Sequence, residues 1–472
     1  MKILVVAHRF PPKHQTGAEL YSWRLARRLR KEGHEIVVFA ADDDLMRRNY
    51  SVRTSDVDGL PVIEVQNHRL HRSFEETYID PRMEAAFVDV LRNVRPDLVH
   101  FQHLLHHSVR YPRIAREAGI PSVLTLHEYW LLCGRNGQMQ QGDGSNCERP
   151  SLDTCARCLC TFMWARQKID LWMLRGLASV AKLTGVDLKA QARKLRLRRL
   201  VNTDPQSLSE EEIEFMRGQL LLREASVRDM FEMVDAVIAP SPSLRARFLE
   251  FGLDEESVIL HDYGTDLKPF RNLTRVPRGE KLRVGFMGSV QPVKGVHLLV
   301  QAMADLEGLP IEATIHGDLS SKPEYVRALR KQLTPSVNLA GKIPSTAVPR
   351  FLSELDVLVV PSTWWENSPL VIHEAFAAGV PVVCSGMGGM ADLVKDGVSG
   401  LHFETGNADD LAAQLRRLVE EPGLLERLVA GIPEIEDIRR DARFHSKLFE
   451  AVLLHHEELA AENDIEDLAL DF

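Results

Sequence analysis

The sequence predicts an α/β protein built on two doubly wound, mostly parallel sheets. Three observations carry that expectation. At 472 residues the chain exceeds one ordinary core, so two domains of roughly 200 residues each are the natural reading. Short β-rich runs alternate with longer helical patterns in two separate series, and repeated strand-helix units build parallel sheets. A cysteine-bearing stretch without that alternation, from about 133 to 228, interrupts the first series as an insertion.

Composition sets the class. With 44% hydrophobic and 26% charged residues the chain reads as globular, and its net charge of -9 argues against nucleic acid as a general partner. The opening Met-Lys-Ile-Leu-Val-Val-Ala is cut short by His8, Arg9, Pro11 and Pro12, so it reads as a first buried strand and not a leader. No apolar run reaches the length that crosses a bilayer. Six cysteines, five of them crowded between 133 and 160, suit a reducing compartment better than a secreted disulfide framework, and a cytoplasmic location is expected.

The first series places strands at 3–7, 35–40, 60–65, 97–102 and 122–126, with a helix over 17–31. Gly17 stands at that helix start, where free amides and the helix dipole favour an anion, although turn formation alone also explains a glycine there. His127 ends the strand 122–126, at the carboxyl edge where open sheets bind ligands; it is either a catalytic residue or a satisfied structural one. In the insertion, Cys155 and Cys158 form a CxxC, and Cys133 and Cys147 supply two more thiols. Four thiolates enclose a tetrahedral zinc, with free buried thiols and redox or iron–sulfur chemistry as the alternatives. Residues 166–199 carry a strong excess of Lys and Arg with apolar residues at helical steps. This suits either peripheral contact with an anionic membrane surface or a hairpin packed on its own domain with a solvated basic face.

Strands resume at 234–240 and 258–264, and 266–281, with Pro269, Pro277 and Gly279, is the expected linker. The second series has strands at 282–287, 311–315, 337–340, 356–360 and 381–385. Within it, 361–379 (PSTWWENSPLVIHEAFAAG) places Glu366 in the loop after a buried strand and Glu374 about two turns inside the following helix. Carboxylates accept paired hydrogen bonds from vicinal diols, so two acids at such a crevice suit a sugar ring and a ribose; a loop charge and a solvated helix position are the plain alternative. Lys294-Gly295 at a strand-to-helix junction suits a phosphate, and Gly388-Gly389 offers a second glycine turn.

Glu366 and Glu374 behind a Val-Val-Pro-Ser strand, the Gly288 to Gly295 turn with Lys294, the Gly388-Gly389 turn and the Gly17-Ala-Glu19 loop resemble the retaining glycosyltransferases of family four. The likeness covers most of the chain outside the insertion and is most specific over 282–410. It implies a GT-B fold, two facing Rossmann-like domains: 1–265 on the acceptor side, a linker 266–281, a nucleotide-sugar domain 282–434, and C-terminal helices 435–472 returning to the first domain. It also implies that Glu374 holds the ribose, Glu366 binds the donor sugar, Lys294 neutralises the departing diphosphate with help from Gly388 and Gly389, His127 approaches the donor sugar, and Gly17 lies in a loop closing over phosphate and acceptor. No catalytic metal is required. Ser289 stands where relatives often carry an arginine in the donor pocket, which leaves less positive charge for the diphosphate, and Thr16-Gly17 replaces a glycine pair. The segment His127-Glu128-Tyr129-Trp130-Leu-Leu-Cys133 is similar to members acting in bacterial surface-polysaccharide assembly. The implied activity is transfer of a sugar from a UDP- or GDP-sugar to a glycan or lipid-linked glycan at the inner face of the plasma membrane. The alternatives are a non-catalytic nucleotide- or glycan-binding protein, or a scaffold built on the metal insertion.

Overall fold

The computed structural model describes residues 1–148, 150–166, 172, 176 and 208–470. The expected basic segment 166–199 therefore lies almost wholly outside the described residues. The chain divides into two compact units: Met1–Ile238, Leu253–Ile259 and Ala442–Phe472 form one, and Ala239–Gly252 with Leu260–Asp441 form the other.

The first unit is built on an eight-stranded sheet: β1 (Lys2–Ala7), β2 (Glu35–Asp42), β3 (Val52–Val57), β4 (Leu60–Gln66), β5 (Leu98–Phe101), β6 (Ser122–Thr125), β7 (Ala236–Ala239) and β8 (Val258–Leu260). Their spatial order is β3-β4-β2-β1-β5-β6-β7-β8. β1 pairs in parallel with β2 and β5, and β5 with β6, while β3 and β4 form the antiparallel edge. Ile3, Leu4, Val6, Leu98, Val99, Phe101 and Val123 are fully buried, as strands covered on both faces must be. The helix Gly17–Lys31 has Glu19 in its first turn and Arg28, Arg30 and Lys31 in its last, which complements the helix dipole at both ends. β3 was not expected from the sequence. Its polar Arg-Thr-Ser-Asp core alternates between exposed and half-buried positions and is held only by pairing with β4.

The second unit holds a six-stranded sheet: β9 (Leu282–Met287), β10 (Ile311–His316), β11 (Val337–Gly341), β12 (Val357–Val360), β13 (Val382–Ser385) and β14 (Gly400–Phe403). The order β11-β10-β9-β12-β13-β14, all parallel, reverses direction between β9 and β12. That reversal opens the crevice where doubly wound sheets place ligands. Leu282, Val284, Val357, Val359, Val383 and Leu411 anchor one core, and Leu358, Ile372, Ala375 and Val382 anchor the core on the other face. β14, a four-residue strand, was also not anticipated.

The expected linker 266–281 does not separate the units. It lies inside the second one, where Arg275 donates to the carbonyls of Gly379 and Leu355, each at 2.6 Å, and Val276 donates its N–H to Ser353. Proline and glycine mark a break in regular structure, not a free tether. Among the described residues no helix is long and apolar enough to cross a membrane.

Candidate active site

In the second unit the helix Leu370–Ala377 begins just after Pro369, so Glu366 lies in the preceding loop and Glu374 within the helix, as the sequence predicts. The loop is fixed by two close approaches. Gly295 ends the short turn that carries Lys294, at φ +65°, and a Cβ there would sit 1.7 Å from the Pro361 carbonyl oxygen. Thr363 donates its N–H to Val293 at 2.9 Å. The Lys294 turn is thereby drawn against the exit of β12, and Lys294 Nζ contacts Glu366 Oε1 and sits 5.1 Å over the Trp364 ring. Glu366 Oε1 also accepts from Ser362 Oγ at 2.7 Å and from Trp364 Nε1 at 2.8 Å. Burial alone would raise the Glu366 pKa, but the Lys294 charge and these hydrogen bonds outweigh it and hold the carboxyl below its usual range. All three donors converge on one oxygen, which leaves Oε2 without a protein donor among the described residues.

The glycine pair serves the same loop. Gly389 donates its N–H to the Glu366 carbonyl at 2.9 Å, and a Cβ on Gly389 would lie 1.1 Å from the Asn367 carbonyl oxygen. The Gly389 amide is thus committed to the protein and not offered to a phosphate, which corrects the role expected for it. Asn367 accepts from Ser241 Oγ at 2.7 Å and donates to Tyr263 Oη, while Ser368 donates to Asp262 at 2.6 Å and pairs with His373 Nε2 at 2.8 Å. Ser289 accepts a hydrogen bond from Gln291 Nε2 at 2.9 Å. The hydroxyl of Ser385, ending β13, and the indole N–H of Trp365 are buried without a hydrogen-bond partner among the described residues. Ser362, Trp364 and Trp365 were not singled out in the sequence, although all three lie in the stretch that was.

The first unit has its own constellation, at the carboxyl ends of β1, β5 and β6. His127 is buried and its Nε2 bonds Gln102 Oε1 at 2.6 Å, an oxygen that also accepts from Ser22 Oγ at 3.1 Å. His103 stacks parallel to His127 at 6.5 Å, packs 4.2 Å from His8, and bonds Glu128 through Nε2 at 3.2 Å. His8 in turn meets Glu19 Oε1 at 3.2 Å, and Thr16 donates to the other oxygen of Glu19. Burial, reinforced by the neighbouring imidazoles, lowers His8 to about 4 and His127 well below its ordinary value. Glu19 stays ionised because hydrogen bonds from His8 and Thr16 outweigh its burial. Gly17 opens the helix that supplies Glu19, and a Cβ on it would meet nothing within 4 Å. Beside this network, Asp43 is ringed by Arg9, Arg69 and Arg166 at 3.0 to 3.5 Å, and Asp42 by Lys13 and His14.

Of the clustered cysteines, Cys133, Cys147, Cys155 and Cys158 lie within electrostatic range of one another. Burial first, then the neighbouring thiols, pushes Cys155 up to about 12 and Cys147 up to about 11. All five are free thiols, and Cys160 turns away to the Glu212 carbonyl.

Two family models match the chain: "Glycosyltransferase Family 4" over residues 15–170 and "Glycosyl transferases group 1" over residues 274–433. Together they take in about two thirds of it, including Glu19, His103 and His127 in the first unit and Lys294, Glu366 and Glu374 in the second. The chain belongs to glycosyltransferase family four.

Among curated relatives, this family-four chain is 31% identical over 202 residues to a D-inositol 3-phosphate glycosyltransferase of Streptomyces bingchenggensis, covering 38% of this chain and 44% of that one. It is 31% identical over 152 residues to a 2-deoxystreptamine glucosyltransferase of Streptomyces kanamyceticus, covering 31% and 39%. The chain thus matches less than half the length of these relatives. Solved structures with the same GT-B fold include Anabaena HepE in complex with UDP and glucose, at TM-score 0.59 and 17% identity over 95% of this chain and 99% of that one. The sucrose-phosphate synthase of Thermosynechococcus elongatus is similar at TM-score 0.58 and 18% identity, over 98% and 99%.

Proposed function

We propose that this chain is a retaining glycosyltransferase that moves a sugar from a nucleotide-diphosphate donor, a UDP- or GDP-sugar, to a hydroxyl acceptor. The observation that carries the reading is Glu366: an ionised carboxylate held by three donors on one oxygen, with no protein donor on its second among the described residues. It sits beside Lys294 at the strand reversal of a nucleotide-type sheet. In this reading Glu374 binds the ribose and Lys294 offsets charge developing on the diphosphate as the anomeric C–O bond breaks. The acceptor oxygen attacks from the same face and its proton passes to the departing phosphate, so the protein supplies position and electrostatics and no base. His127, kept neutral by burial, would act through hydrogen bonding and not through charge. The buried Ser385 hydroxyl and Trp365 N–H are further donors for the ligand.

The acceptor is proposed to be a glycan or lipid-linked glycan of a surface polysaccharide. Four basic side chains around Asp42 and Asp43 leave an excess of cation in the first unit, which suits an acceptor bearing phosphate.

The deciding experiment is a thermal-shift and calorimetric screen against UDP, GDP and ADP. A ligand at about a hundred times its Kd adds roughly 2.7 kcal/mol of stability. One nucleotide is expected to stabilise the wild type and not Glu374→Ala, whereas Glu366→Ala retains nucleotide binding and loses turnover. Stabilisation by none of the three, or equal loss of binding in both variants, overturns this division of roles.

A further inference from the structure

The loop that follows β6 runs from Glu128 through Cys133 to Cys147 and then into the helix Leu152–Cys160. Its backbone turns back at Cys133, where Gly137 donates its N–H to the Cys133 carbonyl at 3.0 Å. The next turn, closed by the antiparallel bridge between Gln140 and Asn146, returns Cys147 to the same place, with its N–H on the Met139 carbonyl at 2.8 Å. Cys155 and Cys158 stand three residues apart on the capped helix, a spacing that puts both on one face. Two contacts hold that helix to the Cys133 loop. Arg135 Nη1 reaches Cys158 Sγ at 3.6 Å, and Gly134 lies so close to Leu159 that a Cβ would approach its Cδ1 to 3.0 Å.

We infer that Cys133, Cys147, Cys155 and Cys158 form a structural tetrathiolate site for one zinc ion. Three segments that share no regular secondary structure bring these four sulfurs into range of one another and leave Cys160 out. No three of the sulfurs lie within 4.8 Å of one another among the described residues. Zinc–sulfur bonds of about 2.3 Å require them to close further when the ion binds. A zinc tetrathiolate carries a net charge of minus two, and the buried guanidinium of Arg223 is placed to offset it. Arg223 interacts with Cys133 and Cys155 and is held by the carbonyls of Leu131, at 3.0 Å, and Trp130.

The site has a consequence for the chemistry. Gly137, inside the Cys133 loop, is packed so tightly on Glu128 that a Cβ would fall 1.3 Å from Glu128 Oε2. Glu128 is the carboxylate bonded to His103, which stacks on His127. The ion thus fixes the loop that backs Glu128, and Glu128 is a positioning residue for the histidine pair.

Metal analysis of the full chain, purified under reducing conditions with zinc in the growth medium, tests this. About one zinc per chain is expected, lost in Cys155→Ser and retained in Cys160→Ser, with far-UV circular dichroism confirming that each protein is folded. If Cys155→Ser does not fold, the wild type and Cys160→Ser still decide. A folded wild type free of zinc, iron in its place, a Cys155–Cys158 disulfide in the mass of the purified chain, or loss of zinc in Cys160→Ser would each overturn the assignment.

Discussion

The two strand-end constellations rest on opposite electrostatics. In the first unit, buried His8 and His127 are held neutral, His8 beside the ionised Glu19; in the second, a carboxylate and an ammonium are both charged and locked together. Their glycines differ in the same sense. Gly17 leaves open space, whereas Gly295 and Gly389 exist because a carbonyl oxygen occupies the position a Cβ would take. The first site is a hydrogen-bonded network of buried histidines, and the second is a charged pair fixed by close backbone approaches. A reaction that develops charge on a leaving group needs its fixed charge on the leaving-group side, which is the second unit in the reading proposed above.

The largest expected effect breaks the geometric half of that contrast. Gly295→Ala combines a left-handed backbone with a Cβ 1.7 Å from the Pro361 carbonyl oxygen, and about 4 kcal/mol of destabilisation is expected in urea denaturation. Gly17→Ala is expected to stay within about 0.5 kcal/mol of wild type, since nothing obstructs its Cβ. Similar losses for the two would erase the distinction.

Removing the cation from the clamp comes next. Lys294→Ala strands a carboxylate that is only 12% exposed, and about 3 kcal/mol of destabilisation follows from leaving one charge of a largely buried pair without its partner. Adding Glu366→Gln should recover part of that loss. A double variant no more stable than Lys294→Ala would show that the pair is not coupled.

The smallest effect sharpens the contrast through pH. His8 titrates at about 4 in the folded chain against an ordinary 6.5, so between those values the unfolded chain binds a proton that the folded chain does not. Stability therefore falls as pH drops from 6.5 towards 4, and His107, lowered to about 3, works in the same direction. Glu366, whose folded pKa lies below its ordinary 4.5, contributes stability that is lost only at lower pH. The unfolding midpoint should decline measurably between pH 6.5 and 5 in wild type and less steeply in His8→Gln. A flat wild-type profile over that interval would contradict the neutral-histidine description.

Both parallel sheets were legible because their strands are buried on two faces and read as continuous apolar runs, as at 3–7 and 357–360. β3 escaped because an edge strand with one partner needs no apolar pattern. Glu366 and Lys294 were visible as unusual residues at strand-to-helix junctions, but their contact was not, since it depends on two turns far apart in sequence meeting at Gly295 and Pro361. The same reason hid Gln102, His103 and His8, each ordinary in its own segment and informative only where β1, β5 and β6 end side by side. The role expected for Gly389 failed because a glycine pair in sequence announces a close approach without saying what approaches.

The helix Glu210–Glu232, which carries Arg223, begins with a reciprocal cap: Ser209 Oγ accepts from the Glu212 N–H at 3.2 Å, and the Glu212 carboxylate accepts from the Ser209 N–H at 2.9 Å. Four residues therefore specify where this helix starts, whatever precedes them. The register that carries the buried Arg223 is thus set from within the helix's own first turn.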